Sequence, residues 1–158
     1  MIQILKSVFL VGAFALVGRN QALAFDHAHR GWSEIVKGSV TWTNSASTVN
    51  YKYLKSNLIS LDKYLKELSE VKSSEFEQWN RDQQLAFLIN AYNAWTVKLI
   101  LENYPVKSIK DIGGIFSSPW KQKFIKLFDK EISLDWIEHE KIRPTYKEPR
   151  IHFALVCA

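Results

Sequence analysis

The stretch NRDQQLAFLINAYNAWTVKLILENY, residues 80–104, decides the fold of this chain. Its apolar residues recur at three- and four-residue spacing, as one helix face requires, at Leu85, Leu88, Tyr92, Trp95 and Leu99. Further apolar residues leave little of the circumference polar, which is typical of a buried helix. The stretch therefore predicts a long helix at the centre of the core, with the other helices packed around it.

Two amide side chains, Asn90 and Asn93, share one stripe of this predicted helix with Val97. A buried amide costs free energy unless it is hydrogen-bonded. Two interpretations follow. The amides hold neighbouring loops through backbone groups, as most buried polar side chains do, or they bind a ligand.

The first 24 residues have the pattern of a secretory signal peptide. Lys6 precedes an apolar run over residues 7–18, and Ala22-Leu23-Ala24 fits a small-x-small cleavage site. The sequence predicts cleavage after Ala24 and export to the periplasm or the extracellular space. The apolar run is short for a transmembrane span, so no stable membrane span is expected after cleavage.

Composition indicates one globular domain over residues 25–158, because 47% of the residues are hydrophobic and 23% are charged. Loss of Lys6 and Arg19 with the leader lowers the formal net charge from +5 to +3. So mild an excess indicates a solvated surface and not a nucleic-acid interface. Cys157 is the only cysteine, so the chain has no internal disulfide.

The remaining segments predict an α+β fold that is predominantly helical. Helices are expected over residues 25–37, 51–71 and 134–143, the last one stopping at Pro144. His27 and His29 are interpreted as surface residues, since an i, i+2 pair does not share a helix face. Residues 151–157, IHFALVC, form a short apolar run that favours a buried strand in a small sheet.

Four segments of the mature chain resemble the domain of unknown function 547 family: WNRDQQLAFLINAYNAWTVKLI, YPVKSIKDIGG, SLDWIEHEKIRP and EPRIHFALVCA. The family is named for having no assigned activity, and its members occur in exported bacterial proteins and in larger plant and animal proteins. The resemblance implies hallmark residues at Asn90, Tyr92, Asn93, Glu138, His139, Arg143, Arg150, His152 and Cys157. Family members continue beyond this cysteine with a glycine-cysteine-proline segment, whereas this chain stops at Ala158. The comparison therefore predicts that the C-terminal part of the domain is missing and that the chain is marginally stable.

The same residues contain the groups needed for thiol chemistry. A thiol nucleophile needs a base within hydrogen-bond reach, and the base needs an orienting group. Cys157, a histidine and Glu138 supply these three types. In a regular strand His152 and Cys157 face opposite sides, about 17 Å apart, so the sequence places His139 at the thiol and His152 beside Glu138 or Arg150. The simpler interpretation is that Cys157 is a small buried hydrophobe.

The same residues also contain groups suited to two other kinds of site. Arg143 and Arg150 fit an anion clamp for a carboxylate ligand, or salt bridges to Glu138, Glu140 or Glu148. Glu138, His139, His152 and Cys157 are possible metal ligands but lack any recognised spacing, so no metal and no cofactor are predicted. Two functions remain: a thiol-dependent hydrolase or transferase acting on an unknown small molecule or peptide, and a non-catalytic binding or scaffold module of which this chain is an inactive fragment.

Overall fold

The computed structural model describes residues 24–44, 46–113 and 117–156. The described part is mainly helical, as the sequence predicted, and its strands form two short antiparallel hairpins. Its helices are α1 (Arg30–Ser39), α2 (Tyr51–Ser56), α3 (Leu58–Glu70), α4 (Ser73–Phe76), α5 (Arg81–Glu102), α6 (Arg143–Tyr146) and α7 (Ile151–Ala154). Its strands are β1 (Val40–Trp42), β2 (Ser47–Val49), β3 (Ile125–Leu127) and β4 (Lys130–Ile132). Short 3₁₀ turns at Ile109–Asp111 and Pro119–Lys121 and a π-helix at Trp136–Ile142 complete the list.

Helix α5 is the buried centre of the fold. Asn80 begins it with a capping box, in which its side chain accepts from the backbone of Gln83 and the Gln83 side chain accepts from the Asn80 N–H at 3.1 Å. Phe87, Leu88 and Tyr92 are almost completely enclosed. Because α5 is apolar around most of its circumference, other elements have to cover it on several sides. Helix α3, the β3–β4 hairpin and the segment after the hairpin provide this cover.

The helix expected over residues 51–71 is divided into α2 and α3 at Asn57. The Asn57 side chain donates to the Tyr53 carbonyl at 2.9 Å, and its backbone N–H bonds Leu54. These bonds end α2 and let the chain turn before α3 begins. The two helices still bury one apolar stripe, with Leu54, Leu61 and Leu68 in the core.

The β3–β4 hairpin packs its turn into the core. Ile125 pairs with Ile132, and the two-residue turn consists of Phe128 and Asp129. Both turn residues have positive φ, 54° and 58°, which is the type I′ geometry of tight hairpins. Phe128 is buried against Phe76 and Phe87, so packing holds a bulky residue in a conformation that it rarely adopts.

The strand predicted over residues 151–157 is wrong for the part that is described. Residues Ile151–Ala154 form the short helix α7, and the Leu155 N–H donates to the Ile151 carbonyl at 3.1 Å. Ile151 and Leu155 are both buried, and their four-residue separation lets one helical turn bury both. The argument that a strand would place His152 and Cys157 on opposite faces therefore does not hold for the described residues. Cys157 itself lies outside them.

The N-terminal segment also differs from the prediction. Helix α1 begins at Arg30 and not at residue 25, and His29 is only 6% exposed. His29 is thus a core residue, not a surface residue, because it lies between Phe25 and Tyr64.

None of the helices in the described ranges is long and apolar enough to cross a membrane.

Candidate functional site

Two side chains of α5 fasten the C-terminal segment along the helix. Near the start of α5, the Arg81 guanidinium donates to the carbonyls of Thr145 and Tyr146, at 3.2 and 3.1 Å. Three turns later, Asn93 bonds the backbone of Ala154 and Val156. Twelve residues of α-helix separate the two anchors by about 18 Å. Residues 145–156 therefore run along α5 in the same direction as the helix.

Asn93 makes the more specific of these attachments. Its Nδ2 donates to the Ala154 carbonyl and its Oδ1 accepts from the Val156 N–H, both at 2.9 Å. A single amide thus satisfies two backbone groups directly before Cys157, as the first of the two interpretations of this side chain describes. The Asn90 side chain, one turn earlier, is half-buried and makes no hydrogen bond to another residue in the described ranges.

The π-helix Trp136–Ile142 carries Glu138 and His139. The Ser133 hydroxyl oxygen accepts from the Trp136 N–H at 3.1 Å. Buried Ile137 and Ile142 fix the π-helix against the core. The sequence predicted that the helix stops at Pro144, but the helical path continues through this residue. Pro144 falls in the first turn of α6, and a proline is tolerated at that position of a helix. π-helical turns are rare and are frequent at functional sites.

The two predicted arginines form ion pairs with neighbouring carboxylates. Arg143 donates twice to Glu138 Oε1, from Nε at 2.9 Å and from Nη2 at 2.5 Å. Arg150 binds both carboxylate oxygens of Glu148, at 2.8 and 2.6 Å. The hydrogen bonds from Arg150 hold the pKa of Glu148 at about 2. The alternative of salt bridges to Glu138 and Glu148 is thereby confirmed.

The two predicted histidines lie on the surface. His139 is 52% exposed, and its Nε2 is 3.8 Å from Asp135 Oδ1 on the same helix. His152 is exposed on α7, with its ring 5.6 Å from that of Phe153. Neither imidazole is hydrogen-bonded to Glu138 within the described part of the chain. The structure thus joins Glu138 to Arg143 and leaves both histidines accessible.

A cleft of about 520 Å³ opens between the two anchors. Its apolar floor consists of Leu85, Ile89, Ile151 and Ala154, and its charged rim of Arg81, Asp82, Glu148 and Arg150. Ala154 belongs both to this cleft and to the Asn93 attachment. The cleft therefore ends three residues before Cys157.

Arg81 was not identified from the sequence, because nothing in the local pattern separates it from any arginine in the first turn of a helix. The structure adds a cation–π contact, in which the Arg81 guanidinium lies 4.9 Å from the centre of the Tyr146 ring.

Within the described ranges, no group of three or more His, Cys, Asp or Glu side chains has the arrangement of a metal site.

The family model described as "Protein of unknown function, DUF547" matches residues 76–158, more than half of the 158-residue chain. The chain therefore belongs to this family. The match begins in α4 and includes α5, the β3–β4 hairpin, the π-helix and α7, so it contains both anchors and the cleft. No match was found among curated proteins or among solved structures.

Proposed function

We propose that this chain is an exported thiol-dependent hydrolase or transferase domain with Cys157 as its nucleophile. The double hydrogen bond of Asn93 to Ala154 and Val156 carries the proposal. A nucleophile has to be held in a fixed position for efficient attack, and an amide from the most buried helix of the fold fixes the backbone immediately before the thiol. The position of Glu138 and His139 in a π-helix supports it further.

The proposed reaction is acyl transfer through a thioester. A histidine removes the proton from the Cys157 thiol, and the thiolate attacks a substrate carbonyl and forms a carbon–sulfur bond. The bond to the leaving amine or alcohol then breaks, and the imidazolium returns the proton to that group. Water or a second acceptor cleaves the thioester and restores the thiol. His139 and His152 are the candidate bases, and Glu138 is the candidate orienting group.

The cleft along α5 is the proposed substrate site. Its apolar floor suits an apolar substrate body, and Arg81 makes no ion pair with a carboxylate in the described part of the chain. Arg150 is proposed to contact the bound molecule because it lies on the rim of the cleft, whereas Asn90 and Arg143 are not among the residues that line it. The proposed substrate class is a small molecule or a peptide that has an apolar body and a reactive carbonyl.

The first experiment measures the rate of Cys157 alkylation by iodoacetamide as a function of pH. We expect an apparent pKa at least about one unit below the value of about 8.5 for a free thiol. Asn93→Ala should slow alkylation or raise this pKa, because the backbone before the thiol loses both bonds. Asn103→Ala is the matched control, since the Asn103 amide donates to the Leu99 carbonyl in the last turn of α5 and to no other described residue.

The second function, a non-catalytic binding module, is favoured by one observation: neither exposed histidine is hydrogen-bonded to Glu138 in the described ranges. A thiol that resists alkylation until the protein unfolds would favour this function and contradict the first. His139→Asn and His152→Asn separate the candidate bases, because only loss of the true base should return the thiol pKa towards its free value.

A further inference from the structure

His29 is a buried histidine that the proposed reaction does not use. It is 6% exposed and directly precedes α1, with a left-handed backbone at φ 48°. Its N–H donates to the Asp26 carbonyl, and its carbonyl accepts from the Ser33 N–H, both at 2.9 Å. These bonds fix the backbone that carries the imidazole, and the ring itself lies between Phe25 and Tyr64 of α3.

The ring has room for one hydrogen bond. Its Nδ1 lies 2.7 Å from the Tyr64 hydroxyl, whereas its Nε2 is enclosed and has no partner within the described ranges. A protonated imidazole carries two N–H donors. Tyr64 accepts at most one of them, so the second would be a buried, charged donor without an acceptor. Such a group is costly, which means that this position fits the neutral ring alone.

The surrounding charges do not remove this cost. Asp26 attracts a proton on His29, but the Asp26 carboxylate already accepts from the Ala28 N–H and from the N–H and Nε of Arg30. His27 opposes the proton, and on α3 the ring meets Tyr64, whose own hydroxyl lies near the Glu67 charge. Burial is the largest effect, and it lowers the pKa of His29 below 6.5.

We propose that His29 is a proton-sensitive latch that holds residues 24–39 on the core while neutral and releases them when protonated. The released surface would be aromatic. Trp32 stacks on Tyr64 with ring centres 5.8 Å apart, and Phe25 stacks on Trp79 at 5.3 Å and meets Phe87 edge-on at 5.2 Å. Release of the segment therefore uncovers Tyr64, Trp79 and Phe87.

The direction of the pH dependence follows from the two states. Above pH 6.5 the imidazole is neutral in both the docked and the released segment, so docking is fully stable. As the pH falls through 6.5, the released segment takes up a proton that the docked one does not. Docking weakens until the pH reaches the lowered pKa of docked His29, by up to about tenfold for each pH unit, the slope that one proton gives.

Hydrogen exchange of the full chain between pH 7.5 and 5.0 tests the latch, with each amide compared with its intrinsic rate. Protection of residues 30–39 should fall several-fold relative to that of α5. His29→Asn should abolish this difference, because asparagine tolerates the left-handed backbone and does not titrate. His27→Gln tests the second histidine of the segment, whose Nδ1 is also enclosed and whose ring lies 4.5 Å from that of Trp79. A latch that depends on His29 requires this variant to keep the difference.

An NMR titration of His29 in the unaltered protein covers the case in which His29→Asn fails to fold. The His29 ring should titrate below pH 6.5, and the α1 amides should change with the same midpoint. Equal loss of protection in α1 and α5, an unchanged pH response in His29→Asn, or a His29 midpoint at or above 6.5 would overturn the latch.

Discussion

Phe128 shows how a single residue can be strained and still stabilise the fold. Its left-handed backbone costs about 1–2 kcal/mol, since only glycine adopts this conformation freely. Truncation of a buried phenylalanine to alanine costs about 3–5 kcal/mol. Phe128→Ala should therefore destabilise the protein strongly, and Phe128→Gly should cost about 1 kcal/mol less because glycine relieves the strain.

Urea denaturation of the two Phe128 variants measures this order. A glycine variant that is no more stable than the alanine variant would show that the turn is not strained. Lys130→Ala serves as the control, because Lys130 is exposed on the same hairpin and its truncation should change stability by no more than about 0.5 kcal/mol.

The role of an individual residue could be predicted where it depends only on the neighbouring sequence. Asn80 precedes an apolar run and caps it, and Asn93 lies on a buried stripe and bonds backbone. His29 was misplaced because its burial depends on Tyr64, which is 35 residues away in the sequence. Local patterns do not contain contacts of that separation.

At the scale of elements, α5 was predicted closely because its length, apolar spacing and capping residues all indicate the same helix. The segment 151–157 was not, because a short apolar run fits a strand and a buried helical turn equally well. What decides between them is the Asn93 amide, which bonds the backbone of Ala154 and Val156. The sequence did not predict the π-helix for a similar reason, because seven residues are too few to show the wider period of a π-helical turn.

The central position of α5 leads to a stability prediction. Leu88 is 1% exposed, so Leu88→Ala should lower the free energy of unfolding by about 2–5 kcal/mol. Ile59→Ala is the matched control on α3, because Ile59 is 87% exposed and its truncation should cost no more than about 0.5 kcal/mol. Thermal or urea unfolding compares the two, and a similar cost for both would mean that α5 is not the centre of the core.

At the scale of the whole molecule, the proposed cleavage site and the fold meet at Phe25. The ring of Phe25 contacts Trp79, Phe87 and His29, so the residue that would begin the exported protein is already part of the aromatic core. Cleavage after Ala24 keeps this ring, whereas cleavage a few residues later would remove it. A mature N-terminus at Phe25 is therefore compatible with both the leader pattern and the packing.

Two measurements check this arrangement. The intact mass of the exported protein should correspond to a chain that begins with Phe25, and recovery of the full chain from Met1 in a membrane fraction would contradict cleavage. Phe25→Ala should lower the free energy of unfolding by about 1–2 kcal/mol, since a half-buried aromatic ring is lost. Phe153→Ala makes the same substitution at a side chain that is 88% exposed and should cost almost nothing. If the two variants were equally stable, the N-terminal ring would not contribute to the core, and the position of the cleavage site would have no consequence for folding.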